Sequence, residues 1–550
     1  MKKLFVFIGA IMLLLFASIF FLEIWVQTKF ENTLNTNPNR KYDLNYDNLS
    51  VSVLKGRIEL NQVKITPLTG DSIPTIIEGK VVRANLEGIG IFNFLRSKEI
   101  TIENLHFLNP EFTLTRTNFQ REQVESSKPF QSLFRDIISR GEIKNFSLSE
   151  GKAILFDLTD SLKKIGSFEG LEIIARGIET DYVQLDKAIP FKLEELKISF
   201  RNLAYQVSEN QTFNFESYGF DFSKGQMNLK NIHLELDKEW YEHAKNQPVQ
   251  KEIMEFEIGK ITVRGLSEAS QFGDSLIVIA ESITLDSLDF KIGKDKNRPF
   301  PPKELKQDFS FLLEALTFPM KVDSLLVTNS TITYSEIGNG QKLPGTIELS
   351  KINGMILNVS TIEKIERENS LFVQVNAVFD RSGQLSLEVH ENYFEREWEA
   401  DITLENLEMT HLNQTVNNLA GISIASGRLN KLHLNMEANA QFSDNHFLME
   451  YEDLKIELLN AEHHKKGFLS SMANLAVHKQ NKPEDKKYQE LAYATKRDPY
   501  KGPINLIWLS AKDGLMATIP SKSARKLMKH SNNENRGKKH GKKKKTTSKE

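Results

Sequence analysis

The chain has 550 residues, 40% of them hydrophobic and 26% charged, with a formal net charge of −2 and no cysteine. That length exceeds one ordinary core, so several modules or a repeating architecture are expected. The missing cysteine excludes disulfides, thiolate catalysis and cysteine-ligated zinc.

Residues 4–22, LFVFIGAIMLLLFASIFFL, are uncharged and apolar. A run of ~20 such residues crosses ~30 Å of hydrocarbon as a helix. Lys2 and Lys3 precede the run, and Glu23, Trp25 and Lys29 follow it. Two lysines on a short flank put that end in the cytoplasm, and Trp25 suits the far interface. A cleaved signal peptide is the competing reading, but Ala17-Ser18 runs on into more Phe and Leu without an A-x-A-like site. The expected order is residues 1–3 cytoplasmic and 4–26 an uncleaved signal-anchor helix, with the bulk of the chain outside the cytoplasm. Residues 27–41, polar and rich in asparagine, read as a stalk.

A repeating pattern then begins. In "YDNLSVSVLKGRIELNQVKITP" (46–67), Leu49, Val51 and Val53 alternate with serines, and Lys55-Gly56 makes a turn. Ile58, Leu60, Val63 and Ile65 continue the apolar face, with a slip near Asn61-Gln62 that predicts a bulge. The same pattern returns in "KEITIENLHFLNPEFTLTR" (98–116), "GEIKNFSLSEGKAILFD" (141–157), "FKLEELKISFRNLAYQV" (191–207) and "SGRLNKLHLNMEANAQF" (426–442). Each is an alternating strand broken by Asn, Gly or Ser. The pattern predicts about 22 to 28 strands of roughly 5 to 8 residues.

Short helices are expected in 121–139, 303–316 and 410–419. Residues 461–520 read as a polar segment, partly disordered over 460–500, with one last apolar element at 503–519. Residues 521–550 form a lysine-rich tail of low complexity that cannot build a core.

The fold class is therefore mainly β: a long twisted antiparallel sheet with one N-terminal transmembrane helix and few short helices. Alternation leaves one face of each strand apolar. The sequence supplies too little helix to cover that face, so the sheet either closes as a sandwich or stays open as an apolar trough suited to acyl chains.

The anchor followed by "YDNLSVSVLKGRIELNQVKITP" resembles the opening of AsmA-like proteins. "LNQTVNNLAGISIASGRLNKLHLNMEANAQFSDNHFLMEYEDLKIELL" (412–459) is similar to their closing module, a short helix leading to a glycine-bounded hairpin. The likeness covers most of residues 1–460, with the β-groove region at 42–460 and the closing module at about 410–460. It implies an inner-membrane-anchored periplasmic β-groove protein of outer-membrane biogenesis that carries phospholipid.

Signals for chemistry are weak. Gly421-Ile422-Ser423-Ile424-Ala425 lacks the last glycine of a nucleophile elbow and reads as a strand entering a hairpin. His463-His464 are adjacent and lack metal-ligand spacing. His433 falls on the polar face of a strand. Asp-Ser-Leu at 160, 274, 286 and 323 reads as turn-to-strand punctuation. No enzyme, cofactor or metal is expected.

Under the lipid reading, the groove positions are Val51, Val53, Ile58 and Leu60 near the membrane, and Leu432, Leu434 and Met436 near the far end. Lys538, Lys539, Lys542, Lys543, Lys544 and Lys545 either meet anionic headgroups or simply keep the tail solvated. The expected partners are phospholipid or another acyl lipid, the membrane and other envelope proteins, without nucleic acid. The alternative is a non-enzymatic envelope scaffold of closed sandwiches that binds proteins.

Overall fold

The computed structural model describes residues 2–32, 42–68, 75–90, 100–116, 141–158, 162–178, 194–267, 277–305, 309, 319–362, 370–395, 397–459 and 477–521. Among these, twenty strands and a few helices make the fold mainly β and antiparallel, as the alternation predicts. The chain divides into two compact units, residues 1–237 with 259–281 and residues 238–258 with 282–550.

The first unit opens with helix α1 (Lys2–Glu31). Its stretch Met12–Glu31 is long and apolar enough to cross a membrane. Such a helix suits a membrane anchor or a signal sequence alike. Met12, Leu13, Leu14, Leu15, Phe16, Phe20 and Phe21 are all exposed, which fits a helix whose solvent is lipid. Leu22, Val26 and Phe30, four residues apart, instead share one helix side and pack against the sheet. This docking extends the helix into the expected stalk, as far as Glu31. The rest of that stalk, 33–41, lies outside the described residues.

Strands β1 (Tyr42–Asn45) and β2 (Asn48–Ser52) both pair with β3 (Arg57–Pro67). Next come β4 (Thr75–Glu87), β5 (Ile100–Arg116), β6 (Gly141–Asp157) and β7 (Lys163–Arg176). After these come β8 (Glu195–Ser208), β9 (Gln211–Asp221) and β10 (Gln226–Leu236). From β3 to β10 each strand pairs with the next, antiparallel except for the parallel pair β5–β6. The β9–β10 hairpin turns at Gly225, whose φ of +56° suits a residue without Cβ.

At the predicted slip Gln62 takes a left-handed conformation without a register shift, since Asn61 faces Arg83 and Val63 faces Val81, and such residues recur. Gln62 has φ +54°, and a left-handed residue stands at the same place in Asn109 of β5, Glu150 of β6, Asn202 of β8 and Asn231 of β10. The apolar residues around it stand three apart instead of two: Leu60 and Val63, Phe107 and Pro110, Phe200 and Leu203, Leu229 and Ile232. In β3 and β4 the paired strands make this step at the same level, so the register holds and the same face continues beyond it: Leu60 faces Ala84 and Val63 faces Val81. Asn is the commonest occupant because it tolerates the left-handed region better than other side chains. Pro110, which has no N–H to donate, sits next to such a residue.

The residues of β11 (Glu252–Arg264) and β12 (Val278–Asp295) are shared between the two units. The second unit also holds α2 (Trp240–Lys245). Its other strands are β13 (Met320–Ile337), β14 (Pro344–Ser360), β15 (Ser370–Phe379), β16 (Gly383–Asn392) and β17 (Glu397–Glu408). A 3-10 turn (Met409–Leu412) and α3 (Asn413–Ala420) follow, with Gly421 as the left-handed C-cap. Then come β18 (Ile422–Ala438), β19 (Phe442–Leu458), β20 (Glu490–Lys496) and α4 (Pro503–Thr518). From β13 to β20 each strand pairs antiparallel with the next. Ser287, Asn329, Lys351, Asn406 and Asp453 take the same left-handed conformation.

Several expectations change. Among the described residues the strands are longer than predicted, up to 18 residues, because a polar break does not end a strand. Asp286-Ser287-Leu288 and Asp323-Ser324-Leu325 lie inside β12 and β13, with Ser287 left-handed, so they are not turn punctuation. The other two Asp-Ser-Leu triplets lie outside the described residues. The 460–500 segment contains β20. The helix expected at 410–419 is the 3-10 turn with α3, and the last apolar element is α4. Those expected at 121–139 and over most of 303–316 lie outside the described residues, as does His463-His464.

Candidate functional site

In the first unit the strand registers carry one apolar face from β3 to β10. Ile58 stands opposite Leu86, Leu86 opposite Leu105, and Leu105 beside Phe146. Phe146 faces Ala175, and Ala175 faces Leu196. Near α1 this face is sealed. Val26 is 3% exposed, Ile58 and Leu60 are buried in the same core, and Val51 and Val53 pack against it half-buried. The Val53 N–H donates to the Glu23 carboxylate at 3.0 Å, tying helix to sheet.

Farther along, the same face becomes aromatic and half-open. Phe200 lies opposite Tyr218, Leu203 opposite Phe215, Tyr205 opposite Phe213 and Ile198 opposite Phe220. On β10, Met227, Leu229, Ile232 and Leu234 continue it. Ring centroids of Phe200 lie 4.8 Å from Phe168, 5.4 Å from Phe215 and 4.8 Å from Tyr218. Phe215 and Ile232 are buried, whereas Phe200, Phe213, Tyr218, Phe220, Met227 and Leu229 keep part of their surface uncovered. Desolvation raises the Tyr218 hydroxyl pKa above its ordinary value.

The opposite, polar face of β7–β10 has a depression of about 350 Å³ lined by Glu172, Lys197, Ser199, Gly219, Asp221 and Asn228 among others. It exists because Gly219 leaves a gap, where an added Cβ would meet nothing within 4 Å. Two of its charges have partners: Lys197 bonds to Glu195, and Asp221 accepts from Ser223 at 2.7 Å. These pairs leave little there to act on a substrate.

In the second unit a corresponding apolar face runs from Val389 through Ala400 and Met436. Leu432, Leu434 and Met436 lie on it, all buried. Over β19 and β20 the face is sealed by α4. Leu506, Ser510, Gly514 and Thr518 form the buried side of that helix. Ser510 Oγ lies 2.9 Å from Ser443 Oγ, its carbonyl accepts from the Tyr493 hydroxyl at 2.6 Å, and Thr495 donates to Asp513 at 2.9 Å. Helix α3 covers another part, where Asn418 donates to the Pro344 carbonyl at 2.8 Å and Leu419 packs on Gly345. On β13 and β14, Leu325, Val327, Ile332, Tyr334, Ile347, Leu349 and Ile356 are half-buried.

The seven groove positions expected from sequence thus fall into two packed cores, four in the first unit and three in the second. The six tail lysines lie outside the described residues. His433 is on the polar face as expected, 2.8 Å from Asp401. The half-open aromatic positions of β8 and β9 were missed. Their signal was the run "FNFESYGFDF" at 213–222, within a chain of 35 phenylalanines. Among the described residues no cluster of three His, Asp or Glu side chains is placed to hold a metal. Comparison with known proteins adds no identity: no protein-family model and no curated protein matches the chain.

Proposed function

We propose that this is a membrane-anchored envelope protein that binds or shuttles lipid on the apolar faces of its sheets, as the resemblance to AsmA-like proteins implies. The observation that carries the reading is the half-open aromatic face of β8–β10, on the same sheet side as the core sealed by α1. Exposed contiguous apolar surface is unusual unless something occupies it. Phe, Met and Leu side chains offer shape-tolerant contact to a flexible acyl chain and no hydrogen bonds that would select a headgroup. The nearby depression mixes Glu172, Lys197 and Asp221 with Ile174, Ile198 and Phe220, and those charges make it a poorer seat for an acyl chain. In this reading α1 holds the protein in the inner membrane, the sheets lie in the periplasm, and the ligand is a phospholipid.

The test is photocrosslinking in cells. Benzoylphenylalanine replaces Phe213 or Met227 on the apolar face, and Asn214 or Asn228 on the other. Lipid adducts, read by mass spectrometry of the purified full chain, are expected from the first pair only. Equal adducts from both pairs, or protein adducts alone from Phe213 and Met227, would turn the reading towards a protein-binding scaffold.

A further inference from the structure

The outward side of α4 is not the polar surface that a capping helix ordinarily shows. Its buried stripe is Leu506, Ser510, Gly514 and Thr518. The exposed stripe, at the same four-residue spacing, is Ile504, Trp508, Lys512 and Met516. Ile504 is 65% exposed, Trp508 55% and Met516 47%. A helix in water places charge there. This helix places one lysine among three large apolar groups.

The segment before the helix extends the same chemistry. Tyr500, exposed, precedes Ile504 by four residues, and Lys303 Nζ sits 4.8 Å from its ring centroid. Phe300, 76% exposed, has Lys501 Nζ 5.9 Å from its ring. The nearby acids are exposed but hydrogen-bonded: Asp498 accepts the Tyr500 N–H at 3.1 Å, and Asp513 accepts from Thr495 at 2.9 Å. The chain beyond α4, residues 521–550, holds twelve Lys and Arg against two Glu.

We infer that this patch, Ile504, Trp508 and Met516 of α4 with Phe300, Tyr500 and their lysines, docks onto an anionic bilayer surface. Trp, Tyr and Lys are the side chains that settle at the headgroup level, with rings at the acyl boundary and ammonium groups among the phosphates. The charge is the reason for choosing a bilayer over a protein: lysines alternate with the apolar groups and a basic segment follows, which matches a continuous negative surface. The inference is independent of any lipid carried on the sheets. It gives the second unit its own membrane contact.

The full chain is held by its own anchor in nanodiscs of neutral phosphatidylcholine. The absence of cysteine makes Met516→Cys a unique site for an environment-sensitive dye, and Asp323→Cys on β13 is the control. Vesicles containing phosphatidylglycerol are then added. The dye at 516, and not at 323, is expected to shift to the blue and to be quenched by brominated acyl chains. Pure phosphatidylcholine vesicles should leave it unchanged. Ile504→Ser with Trp508→Ser should lower vesicle affinity by about tenfold or more, and Lys303→Gln with Lys501→Gln by about threefold or more. Vesicle capture without a shift at 516 would assign binding to the basic tail alone and overturn the inference. So would a shift that needs no vesicles and grows with protein concentration, which would mean the patch pairs two copies. An unchanged shift in the Ile504→Ser, Trp508→Ser variant would overturn it too.

Discussion

Gly514→Ala tests whether α4 is a tightly fitted seal. A Cβ built at Gly514 would lie 2.5–2.7 Å from three ring atoms of Phe447. Ordinary carbon contacts begin near ~3.5 Å, so helix and ring must separate by about 1 Å. Phe447 is buried and has Tyr493 beside it at 6.5 Å, so the ring is hemmed in. The helix therefore has to lift, which lengthens the Ser443–Ser510 and Tyr493–Ser510 contacts from 2.9 and 2.6 Å. Overpacking of this kind costs about 1–3 kcal/mol. Ala gains about 1 kcal/mol over Gly in a helix interior, which offsets part of it. The net loss is about 0–2 kcal/mol, a factor of up to roughly 30 in how often the seal opens. Amide hydrogen exchange over residues 506–518 should quicken by that factor while exchange in β3–β6 stays put. Phe447→Leu in the same chain should remove most of the increment. Slower exchange in Gly514→Ala alone would show that the ring yields freely, and the reasoning about a fitted seal would fail.

Three further outcomes follow from the same structure. Leu434→Ala, in the second core, should cost about 2–5 kcal/mol by denaturant unfolding, because the cavity it leaves is walled by strands on both sides. Asn406, exposed with φ +57°, should accept Gly with little change, while Val there should cost about 1–2 kcal/mol, read as a lowered midpoint. Burial pushes the Tyr451 hydroxyl, which donates to the His478 carbonyl at 3.0 Å, up to about 12. The raised value favours the protonated form in the folded state. Its stabilising contribution is therefore complete below pH ~10 and is lost as pH rises to ~12, in all about 2–3 kcal/mol. Tyr451→Phe should flatten that alkaline loss, and an equally steep loss in the variant would count against it.

Much of the fold was legible in the sequence because strand alternation is local. Val51, Ile58 and Leu60 share the apolar side that their spacing assigns to them, and the slip at Gln62 is where a left-handed residue falls, in place of the expected bulge. What misled was the meaning of the break. Segments such as "IELNQVKI" (58–65) look like two strands because the period fails at one residue. The residue that breaks the period takes φ near +50°, as in β3 and β8, while the pairing with the next strand stays in register on either side, and the same face continues beyond it. Two predicted strands thus become one long one, as in β5 and β6.

The seals were illegible for a different reason. Ser510, Gly514 and Thr518 form a small-residue stripe that reads as a poor helix core, and only Phe447, distant in sequence, gives it purpose. Likewise Val26 and Phe30 look like the tail of an apolar span until β2 and β3 are set against them. Alternation says which side of a strand is apolar; it does not say what comes to lie on that side. Of the seven positions chosen from alternation, Ile58, Leu60, Leu432, Leu434 and Met436 are buried in the two cores, Val51 packs against the first, and Val53 packs against it from the turn after β2. The open stretch was marked by residue size instead. Phe213, Phe215, Tyr218 and Phe220 bring large rings to one face of a single strand, and among the described residues part of that surface stays uncovered. Ring density along a strand, read together with alternation, is therefore the sharper guide to where such a sheet keeps room for a ligand.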